Sequence, residues 1–410
     1  MLNRLNTLTL RRGPALILMA LTCAAAVLAG CGGGGDSASP SGKISFAVGP
    51  ITGFGSVIVN GVRFDDSSAS VSDDDGNSRR SDDLRLGMMT EVVGAGIVTD
   101  DKGSRCQARS IRFGSEIVGP VRSVAADGKS IVVLGQVVLI ATTTIFDDRL
   151  VGGLAGIVAG TTIVEVHGVR DAANGTYTAT RIEPKSNALF FKLRGTVSNL
   201  DKTAHTFTIG SSSEVVSYAS IAATAPANLV NLTNGTSVRV KLQTTQVAGK
   251  WIATSLDNSS RRMDDHDETE VEGTITATTF AVDKKFSVND MPVDATNASF
   301  PKGTTGIVLG ARVEVKGSTV NGVIVATRVK PEDDSDRESE GFELHGSISA
   351  LNTTAKTFLL RGVTVSFAGS GIEYRKGTEA NLANGRNVEV KGGRSSDGTR
   401  LTATRIGFED

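Results

Sequence analysis

A short segment that recurs five times at a nearly constant interval constrains this chain more than any other feature. Each copy begins with a glycine and runs into an alternating apolar string such as Val-Glu-Val; the leading glycines are Gly87, Gly160, Gly235, Gly310 and Gly385. Their spacings are 73, 75, 75 and 75 residues. A second shared string, Ala-Thr-Arg-Ile or a variant, follows each copy and begins at Ala108, Ala179, Ala253, Ala326 and Ala403. A fixed period of this kind indicates tandem copies of one small domain.

Within each copy, apolar residues occupy every second position, which is typical of β-strands. In the last copy, Phe342, Leu344 and Ile348 alternate with Glu343 and His345. Pairs that favour two-residue hairpins lie where strands should reverse: these are Asn60-Gly61, Asn174-Gly175, Asn321-Gly322 and Asp397-Gly398. Each copy therefore predicts three strands, an irregular stretch and a final hairpin.

Five strands per copy exceed a propeller blade, which has four strands in about 40–50 residues. They also fall short of an immunoglobulin sandwich, which has seven strands in about 100 residues. Three strands, an insertion and two more strands is the chain order of a small OB-like Greek-key barrel, whose closure hides strand edges. We therefore predict an all-β fold: a tandem array of five small five-stranded OB-like β-barrels after a lipoprotein signal peptide.

The same spacing sets the predicted domain boundaries. The leader comes first, then a tether, then the repeats with two acidic linkers between the later ones. The predicted segments are a signal peptide at 1–30, a lipidated tether at 31–46, barrel repeats at 47–113, 114–185, 188–258, 269–330 and 342–410, and linkers at 259–268 and 331–341.

The leader indicates export. An apolar run of fifteen residues, Ala15 to Ala29, follows Arg11-Arg12, and this is shorter than the roughly 20 residues of a membrane-spanning helix. It ends in Leu28-Ala29-Gly30-Cys31, which resembles the lipobox of bacterial lipoproteins. The resemblance implies cleavage between Gly30 and Cys31, acylation of Cys31 and a durable membrane anchor. The alternative is an ordinary signal peptide with a chance cysteine.

The residues after the cysteine suggest a destination. Gly32, rather than the aspartate that retains lipoproteins in the inner membrane, follows Cys31. The resemblance therefore implies an outer-membrane lipoprotein, facing either the periplasm or the cell surface. A glycine-rich tether of Gly32–Gly35 would hold the folded part away from the lipid.

The cysteines allow no disulfide within the exported protein. Cys23 would leave with the leader and Cys31 would carry lipid, so Cys106 remains alone. We interpret Cys106 as a strand residue, with a reactive thiol as the alternative.

A family resemblance rests on the first copy. The string Gly49-Pro-Ile-Thr-Gly-Phe-Gly-Ser-Val-Ile-Val-Asn-Gly-Val-Arg-Phe64, followed by Gly87 and by Glu91-Val-Val-Gly94, resembles the DUF5666 family of bacterial domains of unknown function. The likeness is close in the first two copies, weaker in the fourth and fifth, and weakest in the third, where Arg239 and Leu242 replace the usual Glu and Gly. It implies repeated β-domains in exported proteins, often lipoproteins, and supplies no catalytic residues.

The repeats also contain a recurring acidic and basic pair. Glutamates of one hairpin strand and arginines of the next suggest cross-strand ion pairs that fix strand register, each contributing about 0.2–1 kcal/mol. The alternative is a shared ligand-binding face. The predicted pairs are Glu165 with Arg181, Glu314 with Arg328 and Glu389 with Arg405.

No residue pattern indicates catalysis or a bound cofactor. The four histidines, His167, His205, His266 and His345, occupy non-equivalent positions without a second histidine at ligand spacing. Gly128-Lys129-Ser130 lacks the earlier glycine of a phosphate-binding loop. We predict a protein that is not an enzyme, without cofactor or metal.

Three acidic runs remain. They are Asp73-Asp74-Asp75 in the first copy, Asp264 to Glu268 between the third and fourth, and Glu332 to Asp336 between the fourth and fifth. We interpret them as solvated, self-repelling spacers. Weak calcium binding that stiffens the linkers is the alternative.

The net charge of the chain limits the classes of partner that it can bind. The formal net charge is −1 before the three arginines of the leader are removed, so there is no basic footprint for nucleic acid. Our leading hypothesis is a lipid-anchored envelope protein that binds or scaffolds a protein or glycan, with several domains giving avidity. The alternative is an OB-type module for nucleic acid or oligosaccharide, and the third is an exported hydrolase.

Overall fold

The first strand of each repeat pairs with two neighbours, and this closes the sheet. A computed structural model describes residues 42–101, 103–222, 229, 231–258, 263–333, 341–395 and 398–409. In it, β1 (Ile44–Phe54) pairs antiparallel with β6 (Met89–Ala95) through its first half and with β2 (Val57–Val59) through its second half. From β2 the circuit continues antiparallel to β3 (Val62–Asp65), parallel to β8 (Gly103–Gly114) and antiparallel back to β6. The result is a small closed barrel of five strands, barrel 1.

The same circuit recurs in the rest of the described chain. Barrel 1 also carries β4 (Ser70–Asp73), β5 (Ser78–Arg79) and β7 (Val98–Asp100). Barrel 2 contains β9 (Ile117–Val124), β10 (Ser130–Val133), β11 (Gln136–Phe146), β12 (Ile163–Asp171) and β13 (Thr176–Pro184). Barrel 3 contains β14 (Phe191–Asp201), β15 (Thr206–Ile209), β16 (Val215–Ser217), β17 (Ser237–Leu242) and β18 (Trp251–Asn258).

Barrel 4 contains β19 (His266–Thr278), β20 (Lys285–Val288), β21 (Met291–Asp294), β22 (Arg312–Val320) and β23 (Val323–Glu332). Barrel 5 contains β24 (Phe342–Ser347), β25 (Ser349–Asn352), β26 (Thr357–Leu360), β27 (Val363–Ser366), β28 (Glu373–Arg375), β29 (Asn387–Arg394) and β30 (Leu401–Phe408). Short helical turns lie at Ser81–Asp83, Gly153–Gly156, Phe280–Asp283 and Glu379–Asn381. In barrels 1 to 4 the third strand runs parallel to the last, and in barrel 5 β27 runs parallel to β30. The prediction of an all-β chain of small closed barrels is confirmed.

The five leading glycines have a common role. Each adopts a φ between 79° and 90°, a left-handed conformation that glycine enters without steric cost. Each also donates its backbone N–H, at 2.8–2.9 Å, to the carbonyl of a buried residue that lies in the first strand or, in barrel 5, between β24 and β25; the acceptors are Ile51, Val121, Val197, Ile275 and Ile348. The repeated glycine therefore turns the chain into the fourth strand and ties it to the first.

This role predicts a measurable cost in barrel 5. Replacing Gly385 with Ala is expected to lower the free energy of unfolding by about 1–2 kcal/mol, because alanine is strained at positive φ. Gly393 is the matched control: a methyl group at either position meets nothing within 4 Å, but Gly393 has no positive φ. Thermal unfolding of both variants should show a loss for Gly385→Ala alone. Equal losses would mean that chain conformation does not explain the repeat.

The barrels share their hydrophobic cores. Barrels 1 and 5 contribute to one continuous core and barrels 2 and 3 to a second. Barrel 4 forms a third, into which barrel 1 inserts Phe46 and Val48. Because apolar surface is removed from water between barrels as well as within them, the barrels support one another's folding.

First strands lie at the junctions between barrels. In barrel 1, β1 runs parallel to β19 of barrel 4 from Ser45 to Val48, and parallel to β24 of barrel 5 at Gly53 and Phe54. Strand β9 of barrel 2 pairs with β14 of barrel 3. Long-range pairing thus joins barrels that are distant in sequence.

The first acidic linker is not a solvated spacer throughout. His266 begins β19, so the end of the predicted 259–268 linker belongs to barrel 4. The Asp267 carboxylate accepts the Ile44 N–H at 2.8 Å, and Glu268 pairs with Lys43 at 3.1 Å. These acidic side chains dock on barrel 1 because its N-terminal strand presents a free N–H and a lysine there.

Candidate functional site

The predicted lipidation site, Gly30 and Cys31, lies outside the described residues. Among the residues that the structure does describe, no helix is both long and apolar enough to cross a membrane.

The Glu165–Arg181 pair predicted from the repeats does not form. Glu165 lies opposite Glu183 in the β12–β13 hairpin and binds Lys185, with Nζ 2.5 Å from its carboxylate. Arg181 binds Asp147 at 2.5 Å and Glu183 at 3.5 Å. The register places the arginine two residues away from the position that faces the glutamate.

Barrel 4 shows the same offset. Glu314 lies opposite Lys330 and pairs with Lys316 at 2.9 Å. Arg328 lies opposite Lys316 instead of Glu314. The hairpin register therefore replaces the predicted Glu314–Arg328 pair with a pair along one strand.

The predicted Glu389–Arg405 pair of barrel 5 does not form either. Glu389 pairs with Lys391 at 3.4 Å, while Arg405 lies opposite Lys391 and pairs with Glu373 at 2.8 Å. A lysine two residues after the glutamate is the closer cation in both barrels 4 and 5. Counting residues along a hairpin did not reveal this, because a bulge shifts the register within each one.

The acidic loop of barrel 1 docks on a basic face of barrel 3. We call this contact the charge seam. It joins Asp74 and Asp75 to Lys192, Arg194, Arg239 and Lys241. Lys192 Nζ lies 2.9 Å from the Asp74 carboxylate, and Lys241 Nζ lies 2.8 Å from that of Asp75. The carboxylates expected to be solvated, or to bind calcium, are bound by cations of the protein.

Charged groups of the charge seam are buried, which strengthens their interactions. Asp74 is 8% exposed and Lys192 is 3% exposed. Burial alone would raise the pKa of Asp74, but the adjacent Lys192, with Arg194 and Arg239, holds that pKa below its usual value. The ionised form is therefore the one that the fold binds.

The sequence contained a signal for this contact. Arg239 was the position at which the third copy departed from the glutamate of the other copies. In the structure its guanidinium lies 3.0 Å from the Asp75 carboxylate. The reversed charge gives barrel 3 its affinity for the acidic loop.

An open groove lies between barrels 2, 3 and 4. Its volume is about 710 Å³. The β12–β13 turn forms one wall, and β14, the turn after β15 and the start of β17 form another. Barrel 4 supplies β19 and β20. Most of the lining residues have a hydroxyl group or a small side chain. They are Thr196, Ser198, Ser211, Thr236, Ser237, Thr276 and Ser287, with Asn174, Ala172, Ala173, Ala277, Gly175, Gly210 and Gly235.

The floor of the groove is a satisfied ion pair. Arg170, 9% exposed, lies 3.4 Å from the Asp290 carboxylate and donates to the Thr196 hydroxyl at 2.7 Å. The Ser237 hydroxyl donates to Asp290 at 2.9 Å. The two charges compensate each other, and none of the described lining residues is aromatic. The groove therefore offers neutral hydrogen-bonding chemistry.

A second cluster combines carboxylates with an imidazole. In the described part of the chain, atoms of Glu343, His345 and Glu389 lie within 4.8 Å of one another. Arg63 and Lys391 bind the Glu343 carboxylate at 2.6 and 3.2 Å. Because protein cations occupy those oxygens, the group is a salt-bridge cluster at the junction of barrels 1 and 5.

Cys106 lies in β8 and is buried. Burial raises the pKa of its thiol, and Sγ lies 3.3 Å from the Ser45 hydroxyl and donates to the Ala95 carbonyl at 3.0 Å. A protonated, enclosed thiol is a packing residue, not a nucleophile.

A protein-family model matches parts of the chain. Three segments, 118–183, 272–330 and 345–407, match the model of the family described as Domain of unknown function (DUF5666). They fall within barrels 2, 4 and 5, each beginning in a first strand and ending in a last one. The first copy, where a close likeness was expected, is not among the matched segments; its additional β4, β5 and β7 lengthen it. No curated protein matches the chain.

Proposed function

We propose that this protein, which carries repeated DUF5666 domains, is a lipid-anchored, non-catalytic binding protein of the bacterial cell envelope. Its leader resembles that of outer-membrane lipoproteins. The proposal includes that the mature part is an array of five OB-like barrels. The observation that carries the binding role is the open groove between barrels 2, 3 and 4.

The chemistry of the groove favours a glycan over a protein partner. Hydroxyl, amide and backbone groups line it, and its floor carries no net charge because Arg170 and Asp290 compensate each other. A protein partner would require apolar pockets for anchoring side chains. A neutral sugar chain needs hydrogen bonds, which the lining supplies from three barrels.

Affinity at such a site should be modest. Each hydrogen bond to a sugar replaces one to water and contributes about 0.5–1.5 kcal/mol. Repeated glycan units, displayed near a lipid-anchored array, would raise the apparent affinity through effective concentration. The anchor is thus part of the proposal.

A bulky side chain at the groove tests the binding role. We expect Ser211→Trp to weaken binding of a neutral hexasaccharide at least tenfold, because the exposed Ser211 lines the groove and an indole would fill it. Cellohexaose, chitohexaose and maltohexaose are the probes, measured by calorimetry on protein without the leader. Ser213→Trp is the matched control, since Ser213 is also exposed but does not line the groove.

Binding that survives Ser211→Trp would place the ligand elsewhere, and no binding to any probe would contradict the choice of a neutral glycan. Cross-linking in cells, with wild type compared to Cys31→Ser, separates the two parts of the proposal. Loss of an envelope partner in the Cys31→Ser form would support anchoring, and an unchanged soluble complex would contradict it.

A further inference from the structure

Barrel 5 joins barrel 1 at a point where charged side chains converge. Strands β1 and β24 pair in parallel at Gly53 and Glu343. Just beyond, Gly55 lies so close to His345 that a Cβ on the glycine would collide with the histidine side chain. The two barrels are therefore in tight contact around His345.

His345 has an acceptor at each ring nitrogen. Its Nε2 lies 2.8 Å from the Glu343 carboxylate and its Nδ1 lies 2.7 Å from the Glu409 carboxylate. An ionised carboxylate only accepts hydrogen bonds, so both contacts are satisfied when both nitrogens carry a proton. The geometry points to an imidazolium held between two carboxylates.

The surrounding charges are balanced by that proton. Arg63 of barrel 1 donates to Glu343 at 2.6 Å. Its other terminal nitrogen lies 3.4 Å from His345 Nε2, where two donors face each other when His345 is protonated, so the Glu343 carboxylate between them is the group that binds both. Lys391 lies 3.2 Å from the Glu343 carboxylate and 3.4 Å from that of Glu389, whose backbone lies opposite His345.

Arg361 donates to the His345 carbonyl at 2.8 Å, and its guanidinium lies over the Phe54 ring. When His345 is protonated, the charges of the remaining side chains are equal in number. The three cations are Arg63, Lys391 and the imidazolium, and the three carboxylates are those of Glu343, Glu389 and Glu409. Removing one proton leaves a carboxylate without a counter-charge.

We propose that Glu343, His345 and Glu409 form a proton-sensitive clasp within barrel 5, which holds the Glu343 carboxylate in position for Arg63 of barrel 1 while His345 is protonated and loosens when His345 loses that proton. This inference is independent of the ligand in the groove. It gives the protein a response to the pH of its surroundings.

The pKa directions agree with this geometry. The hydrogen bond to Glu343, and next that to Glu409, raise the pKa of His345 against an opposing effect of burial. The stabilisation from His345 is therefore complete below its usual pKa of 6.5 and is lost as the pH rises through the raised value. Burial acts to raise the pKa of Glu343, but the hydrogen bonds from His345 and Arg63 outweigh it and lower that pKa. Glu343 therefore stays ionised, and continues to stabilise the fold, at acidic pH.

Hydrogen–deuterium exchange of the whole mature protein tests the clasp. After correction for intrinsic rates, we expect protection of the β24 amides to fall at least about fivefold between about pH 6 and about pH 9. Amides of β14 in barrel 3 serve as the internal reference. His345→Gln should remove the pH dependence, whereas His205→Gln, a histidine of barrel 3 in edge contact with Tyr218, should retain it.

An NMR titration of the wild-type histidines is a second measurement that needs no variant. The His345 imidazole should titrate above 6.5. A midpoint at or below that value, or the same pH dependence of exchange in His345→Gln, would overturn the proposal.

Discussion

Replacing Asp74 with Asn is expected to lower the free energy of unfolding by about 3–5 kcal/mol, the usual cost of breaking a buried ion pair from one side. The carboxylate neutralises Lys192, which is 3% exposed, and lies within 3.8 Å of Arg194 and 3.4 Å of Arg239. Without Asp74, Lys192 remains buried and loses the carboxylate that it binds, while Arg194 and Arg239 keep Glu116 and Asp75. The fluorescence of Trp251, which lies in barrel 3, reports the loss during urea unfolding.

Two variants sharpen this test. Asp101→Asn removes an exposed carboxylate from the same barrel and should change the free energy of unfolding by less than about 0.5 kcal/mol. Arg239→Glu restores the residue usual in the other repeats, but places a third carboxylate beside Asp74 and Asp75. It should destabilise at least as much as Asp74→Asn. Small and equal shifts in all three variants would show that the charge seam does not hold barrels 1 and 3 together.

The fold within each barrel could be predicted because its determinants are local. The period of two in the strands, the hairpin dipeptides and the leading glycines lie within a few residues of the structures that they specify. Gly160, for example, adopts a positive φ, and a Cβ at that position would meet nothing within 4 Å. Periodicity therefore predicted the all-β class and the small closed barrels.

Contacts between barrels could not be predicted in the same way. Lys192 is 118 residues from Asp74, and Glu343 is 280 residues from Arg63. No local pattern ties such residues together, and their alternation in strands is equally typical of solvated faces. The groove also escaped notice, because small polar residues are common in turns and carry no signature of binding.

The departures from the repeat were more informative than its regularities. Arg239 differs from the glutamate of the other copies because it faces another barrel, and the acidic hairpin of barrel 1 is the insertion that it receives. In a tandem protein, a copy that breaks the shared pattern with a reversed charge predicts an interface between copies. The same reasoning could locate partner barrels in related chains.

The junction of barrels 1 and 4 buries a carboxylate that is poorly compensated. Glu270 of β19 is 6% exposed, and its residue lies opposite Ala47 of β1. Lys316 Nζ approaches its carboxylate at 2.8 Å, yet that oxygen lacks a well-directed hydrogen bond. Lys316 also serves Glu314 at 2.9 Å. Burial, together with Glu314 and despite Lys316, raises the pKa of Glu270 to about 7.

Stability should consequently fall as the pH rises from the usual glutamate pKa of 4.5 to about 7, because the folded protein holds this proton more tightly than the unfolded chain does. The interval corresponds to about 3 kcal/mol. We expect Glu270→Gln, which keeps the shape and removes the charge, to be more stable than wild type by about that amount at about pH 8. At about pH 4.5 the two proteins should be equally stable.

Calorimetric unfolding at both pH values measures this difference. Glu379→Gln is the control, since Glu379 makes an exposed pair with Lys356 and its removal should change stability by less than about 0.5 kcal/mol at either pH. A Glu270→Gln variant that is less stable than wild type at about pH 8 would mean that the ion pair with Lys316 outweighs desolvation of the carboxylate. The sign of the effect at alkaline pH therefore decides whether this junction is held by the Glu270 charge or strained by it.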